Sequence, residues 1–185
     1  MWPILAASVV ALSVALERLA FLAVETARRD RRQVQEMLQQ LEQGDIPGAR
    51  KTGAGSRDFV ARALSRGLEH ANAFPDAILA AARIELQRFS CGLAVLDTII
   101  TLAPLLGLLG TVTGMIRSFG MLSGAELGAP AGITGGIAEA LIATAFGLGV
   151  AITALLPFNL LNSKEEKARL ELQDAASRAE LLLKK

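Results

Sequence analysis

Tyrosine is absent from the 185 residues, and tryptophan, cysteine and histidine occur once each. A single cysteine, Cys91, excludes an intrachain disulfide framework, and with the lone His70 it cannot build a zinc site, so no metal or cofactor is expected. One tryptophan and seven phenylalanines are too few for a base-stacking surface. With a net charge of only +1, nucleic acid is not an expected partner. Catalytic signatures are missing too: there is no phosphate-cradling GxxxxGK[ST], no GxSxG elbow, no paired histidines and no CxxC. An intramembrane aspartyl protease needs two facing aspartates, and the apolar runs offer only Asp97. The chain is not expected to be an enzyme.

What is present is apolar surface in long blocks. Hydrophobic residues make up 52% of the chain while charged residues still reach 20%, and mean hydropathy is +0.42. The two kinds of residue must therefore be segregated, which is the pattern of membrane spans plus a wet portion. The first apolar run, from about Trp2 to Val24, carries no charge before Glu17 and Arg18. It lacks the basic start of a signal peptide, and its apolar run resumes after Arg18, so it is expected to remain as a span. The second, Leu93 to Ile116, has only Asp97 as a charge, and the third, Ala129 to Leu161, has only Glu139. Each covers the roughly 20 residues a helix needs to cross the hydrocarbon core. Pro130 and Asn159 are expected to mark the ends of the third.

The expected fold is an all-α membrane protein with three transmembrane helices and a cytoplasmic helical layer. Its segments are a first transmembrane helix at 1–25, a helical loop at 26–92 and a second transmembrane helix at 93–119. A short periplasmic turn at 120–133, a third transmembrane helix at 134–161 and a tail helix at 162–185 follow. Eleven of the nineteen Lys and Arg lie between Thr26 and Ser90, and none lies between Gly120 and Thr134. By the positive-inside rule the loop and tail are cytoplasmic and the amino terminus periplasmic. Within the loop, Val34, Met37, Leu38 and Leu41 recur at helical spacing, with Gly44, Asp45 and Pro47 ending that helix. Val60, Leu64 and Leu68 suggest a second helix. A third begins after Pro75 and Asp76 and is drawn as running on toward the second span. These stripes are expected to pack against one another and against a tail helix from Glu165 to Leu183. The remaining role for the basic residues is docking of a partner or of anionic lipid heads.

Within the spans, Gly107, Gly110 and Gly114 fall close to one face of the second helix, and small residues including Gly136 and Gly147 recur on the third. Small faces let membrane helices approach closely, so packing explains these glycines. Glu139 is different. A carboxylate about two turns into a span must face a bundle interior or a water-filled path. Thr111, Thr113 and Thr144 offer hydroxyls in the same two spans, although each alone reads first as a threonine bonded to its own backbone. Five residues at about 100° each put Thr144 roughly 140° around from Glu139, so the two cannot share one narrow stripe. One carboxylate is also no complete relay; other copies, water or a partner helix with its own carboxylate must complete it.

The stretches LAPLLGLLGTVTGMIRSF at 102–119 and GGIAEALIATAFGLGVAI at 135–152 resemble the MotA/TolQ/ExbB proton channel family. The order of spans, the loop and the Glu17–Arg18 pair fit the same resemblance. It implies a bacterial inner-membrane motor subunit, a homo-oligomer of five chains around the single spans of an ExbD-like partner whose transmembrane aspartate takes the proton. It also implies that Glu139, Thr111 and Thr144 line or border the lumen, with Thr113, Arg117 and Asp97 as further pathway or mouth positions. Residues 96–116 look most like the ExbB branch, which works through a TonB-like protein on outer-membrane transport. A TolQ-like role in envelope integrity, a passive scaffold and a self-sufficient ion channel are the alternatives. Two departures from the family pattern stand out: Ile152, Thr153 and Ala154 replace its usual IPA, with Pro157 displaced, and Arg117 stands at a commonly neutral or histidine position.

Overall fold

The computed structural model describes residues 2–122 and 130–184, with side chains placed at all of them except 121, 122 and 130–133. The described residues form seven α-helices and one 3₁₀ turn. The helices are α1 Trp2–Ala27, α2 Arg31–Glu42, α3 Ile46–Ala54, α4 Phe59–Leu68, α5 Phe74–Ser90, α6 Leu93–Leu122 and α7 Pro130–Leu183. Three helices among the described residues are long and apolar enough to cross a membrane. The chain divides into two compact units. One comprises Met1–Arg18 with Gly92–Leu160, the other Leu19–Cys91 with Leu161–Lys185.

The first unit is the apolar one. Its buried positions are largely small: Ala11 and Ala15 on α1, Ala103 on α6, and Ala140, Ala143, Ala151 and Ala154 on α7. Many large residues point outward, Leu105, Ile116, Leu141 and Leu156 among them, although Ile4, Leu96 and Ile99 are buried. That inversion of a soluble core is what a lipid solvent permits, since apolar side chains cost nothing there and close backbone approach is what holds helices together. At its edge Gly92 takes φ +80°, and a Cβ there would stand 3.1 Å from Val14 and 3.2 Å from Arg18. Both the left-handed backbone and the space require glycine.

The second unit is a polar helical bundle with its own core. Met37, Ala49, Val60, Leu64 and Phe74 are all at most 1% exposed. On the tail portion of α7, Ala168, Leu172, Ala175 and Ala179 are buried at spacings of four, three and four, a single stripe of an amphipathic helix. Three aspartates start three helices. Asp30 accepts from the Gln33 amide at 3.2 Å, Asp45 from Gly48 at 2.8 Å and Asp58 from Val60 at 2.8 Å, each satisfying an orphan N–H of a first turn.

Four boundaries differ from those read in the sequence. Gly44, Asp45 and Pro47 end α2 and also begin the unforeseen α3: Gly44 turns the chain at φ +78°, Asp45 caps the new helix and the proline sits in its first turn. Helix α5 does not continue into α6, because Cys91 leaves helical geometry and Gly92 has positive φ. The third span and the tail helix, expected as two elements, are one helix: α7 runs through Pro157 to Leu183, and no glycine or proline follows Pro157 to end it. The expected turn narrows, since α6 reaches Leu122 and α7 starts at Pro130; residues 123–129 lie outside the described residues.

Ion pairs tie the second unit together. Glu85 on α5 is 1% exposed and receives Arg62 at 2.7 Å, Arg88 at 3.2 Å and Arg66 at 3.3 Å. Arg62 also reaches Glu25 near the end of α1 at 3.1 Å. Burial alone would raise the Glu85 carboxyl, but the hydrogen bond and charge of Arg62, joined by Arg88, outweigh it and hold the group below its ordinary value. The Arg62 guanidinium is raised in turn, chiefly by its hydrogen bond to Glu85. Glu85→Ala removes the buried carboxylate that Arg62, Arg66 and Arg88 share while Arg62 keeps Glu25, and is expected to cost about 2 kcal/mol, read as a lower unfolding temperature of the purified chain. Because the folded carboxyl titrates below its ordinary 4.5, its contribution is full above about pH 4.5 and is lost as pH falls through the folded value. An acid titration of wild type should show that loss, and Glu85→Ala should lack it.

Candidate functional site

The paired helices α6 and α7 carry the residues that the sequence singles out. They run antiparallel and meet on their small faces. A Cβ on Gly147 would stand 2.5 Å from the Ala103 carbonyl oxygen, and one on Gly107 would stand 3.0 Å from the Thr144 Cα. Further along the seam, a Cβ on Gly110 would come within 2.7 Å of the Ala143 Cβ and one on Gly114 within 2.7 Å of the Ala140 Cβ. At the far end Gly136 lies against the Ser118 hydroxyl. A side chain at any of these places would push the helices apart, so the glycines set the interhelical distance.

The seam also fixes the rotation of each helix, and with it where the polar side chains point. Thr144 is half-buried and donates its hydroxyl hydrogen bond across the seam to the Gly107 carbonyl at 3.0 Å. Thr111 is half-buried but donates within α6, to Leu108 at 2.7 Å. Thr113 is exposed and donates to Leu109 at 2.9 Å and Gly110 at 3.1 Å, also within α6. The one-helix reading of a span threonine thus describes Thr111 and Thr113, whereas Thr144 is an interhelical clamp. No sequence pattern distinguishes the two cases, because the acceptor lies on another helix.

Glu139 precedes the buried Ala140 and is itself exposed, turned off the seam. It forms no hydrogen bond or ion pair with the described residues. Thr144 and Glu139 therefore occupy different faces of α7, as the 100° step requires. Asp97 and Arg117 on α6 are exposed as well. No group of three or more metal-ligating side chains occurs among the described residues.

A multi-pass, all-α membrane protein of the inner-membrane type, with a small-residue helix pair that leaves the Glu139 carboxylate exposed, is the class these features define. The model of the MotA/TolQ/ExbB proton channel family matches residues 52–174, and the chain belongs to that family. It is 39% identical over 175 residues to the ExbB-like 1 protein of Synechocystis, covering 90% of this chain and 68% of that one. With the ExbB-like 3 protein of the same organism it shares 35% identity over 190 residues, covering 99% of this chain and 90% of that one. The similarity to the Tol-Pal system protein TolQ of Haemophilus influenzae is 46% but spans only 67 residues, 36% of this chain and 29% of that one. As a member of a proton channel family the chain is a channel-type protein and not an enzyme.

Two glycines on α7 test the seam. Gly147→Ala drives a methyl into the Ala103 backbone and is expected to destabilise the helix pair by about 1–3 kcal/mol. Gly149→Ala, where nothing lies within 4 Å, should leave stability unchanged or slightly raised. Thermal unfolding of both variants in one detergent checks the contrast. At the clamp, Thr144→Val should cost about 1 kcal/mol while Thr144→Ser stays near wild type in the same assay.

Proposed function

We propose that the chain is an ExbB-like subunit of an inner-membrane motor driven by the proton-motive force, working through a TonB-like protein on transport across the outer membrane. The observation that carries this reading is Glu139, a carboxylate exposed on an apolar helix face with no partner among the described residues. Facing lipid, such a group would cost several kcal/mol. It is covered if copies of α6 and α7 ring a lumen and a single-span partner, carrying its own aspartate, fills it. In that arrangement five chains surround the partner, Glu139, Thr111 and Thr144 line or border the lumen, and Arg117 and Asp97 lie toward its mouths. Protons descending the gradient visit the partner carboxylate. Each elementary charge crossing 100 mV releases about 2.3 kcal/mol, enough to bias a rotational step.

The basic helical unit is assigned to the cytoplasm and the amino terminus to the periplasm, on the positive-inside rule. The ExbB branch is favoured over TolQ on the resemblance of residues 96–116 and on the ExbB-like relatives, which align over nine-tenths or more of this chain against 36% and 61% for the TolQ proteins of Haemophilus influenzae and Pseudomonas aeruginosa. A passive scaffold accounts for the glycine seam but leaves the uncovered carboxylate without a role.

Glu139→Gln keeps the shape of the side chain and removes its charge. In the native host deleted for this gene, wild type is expected to restore outer-membrane ligand uptake. Glu139→Gln, at equal membrane level and with equal recovery of the partner, should leave uptake at the deletion background. Full uptake by the variant would make Glu139 structural; normal uptake in the deletion strain would turn the assignment to TolQ-like work. In liposomes the purified chain alone should not leak protons, and leak without a partner would establish a self-sufficient channel instead.

A further inference from the structure

The basic side chains near the end of α1 are not all free. Arg29 is held by Asp58 and, at 2.7 Å, by Glu171; Arg31 shares Glu171 at 3.0 Å. Lys164 and Lys167, in contrast, make no ion pair or hydrogen bond with the described residues. They lie on α7 within two turns of Leu161, where its apolar run stops. Both line a cleft of about 260 Å³ whose floor is apolar, formed by Leu22, Phe59, Phe89 and Ala168. The carboxylates on its wall, Glu25 and Glu171, are already engaged by Arg62 and by Arg29 with Arg31. Positive charge in the cleft is therefore left without a counterion, over an apolar floor and beside the ends of two apolar helices.

We infer that this cleft binds the headgroup of an anionic phospholipid, its phosphate held by Lys164 and Lys167 with Arg31 at the rim and its first acyl carbons against Leu22 and Phe89. The volume suits a headgroup; it falls below the roughly 300–1,000 Å³ that encloses a whole small-molecule ligand. Basic side chains at the end of a span are the recognised chemistry for such lipids, and here the lysines are spared the internal pairs that occupy their arginine neighbours. The inference rests on the membrane placement of α1 and α7 and not on the motor reading, so either can fail alone.

The test titrates short-chain phosphatidylglycerol, phosphatidylcholine or inorganic phosphate into the detergent-solubilised full chain and follows the unfolding temperature. Phosphatidylglycerol should raise it saturably, and the other two should have little effect. Lys164→Gln/Lys167→Gln should weaken the apparent affinity about thirtyfold, on the order of 1 kcal/mol for each lost charge. Lys164→Arg/Lys167→Arg should retain it, as should Arg50→Gln/Lys51→Gln, a charge-matched pair on α3. Should the glutamine pair melt early without lipid, phosphatidylglycerol retained through purification, weighed by native mass spectrometry against the arginine pair, carries the same comparison. An equal loss in the α3 variant would reduce the effect to net charge. An equal shift with inorganic phosphate would make the cleft a simple anion site, and an equal shift with phosphatidylcholine would remove the headgroup from the account. Each of these three results overturns the inference.

Discussion

In a hydrocarbon solvent, burying one leucine against another gains nothing over burying it in lipid, so α6 and α7 associate only through what lipid cannot offer. That is close backbone packing and hydrogen bonding between helices. The seam from Ala103 against Gly147 to Ser118 beside Gly136 supplies the first, and the Thr144 hydroxyl on the Gly107 carbonyl supplies the second. Both act on rotation as much as on distance. Once Ala140, Ala143 and Gly147 are turned inward, position 139 falls on one flank of the seam and Thr144 on the other. The glycine pattern thus fixes which flank carries the carboxylate.

The polar unit solves the opposite problem. Its charged residues are excluded from its core by hydration, yet Glu85, Asp58 and Glu25 are at most 3% exposed. They are tolerated because each is met by a guanidinium, and the delocalised fork of arginine can serve two carboxylates at once. Arg62 bridges Glu25 and Glu85, and Arg29 bridges Asp58 and Glu171 while lying 4.8 Å over the Phe59 ring. Removal of Arg62 would leave Glu25 without its guanidinium and removal of Arg29 would do the same to Asp58, whereas Glu85 would keep Arg66 and Arg88 and Glu171 would keep Arg31. Lysine, a point charge with a flexible stem, could not reproduce either bridge, and the lysines of this unit are found where no such bridge is made.

How much of this the sequence discloses depends on the range of the interaction. The spans are visible because apolar residues run on for the length of a bilayer, and the small faces because glycine and alanine recur at steps of three and four. Helix α4 is visible in Val60, Leu64 and Leu68. Helix α3 hides behind Gly44, since a glycine that stops one helix looks the same whether or not another follows; the aspartate and proline behind it were the available signal. The tail of α7 looks like a separate element because polarity changes at Ser163, but a change of polarity alone does not break a helix, and no glycine or proline stands there to help it. The roles of the arginines were out of reach. Arg29 and Glu171 are 142 residues apart, and topology alone already accounts for basic residues in a loop.

The proton bookkeeping of the spans decides what the chain can do without help. A threonine hydroxyl has one hydrogen to give and two lone pairs to receive with. In Thr111, Thr113 and Thr144 that hydrogen is already given to a backbone carbonyl. Each can therefore steady a water or a visiting carboxylic acid by accepting from it, but to pass a proton on it must first release its own hydrogen bond. Thr144 would have to release the clamp that fixes α7. Among the three residues assigned to the lumen, Glu139, Thr111 and Thr144, only Glu139 makes no hydrogen bond with the described residues. A single such group can take a proton from one side and return it, yet no described side chain lies within hydrogen-bonding distance to receive it. In the proposed motor the second titrating group is the partner's carboxylate, and the threonines define the lining against which it moves.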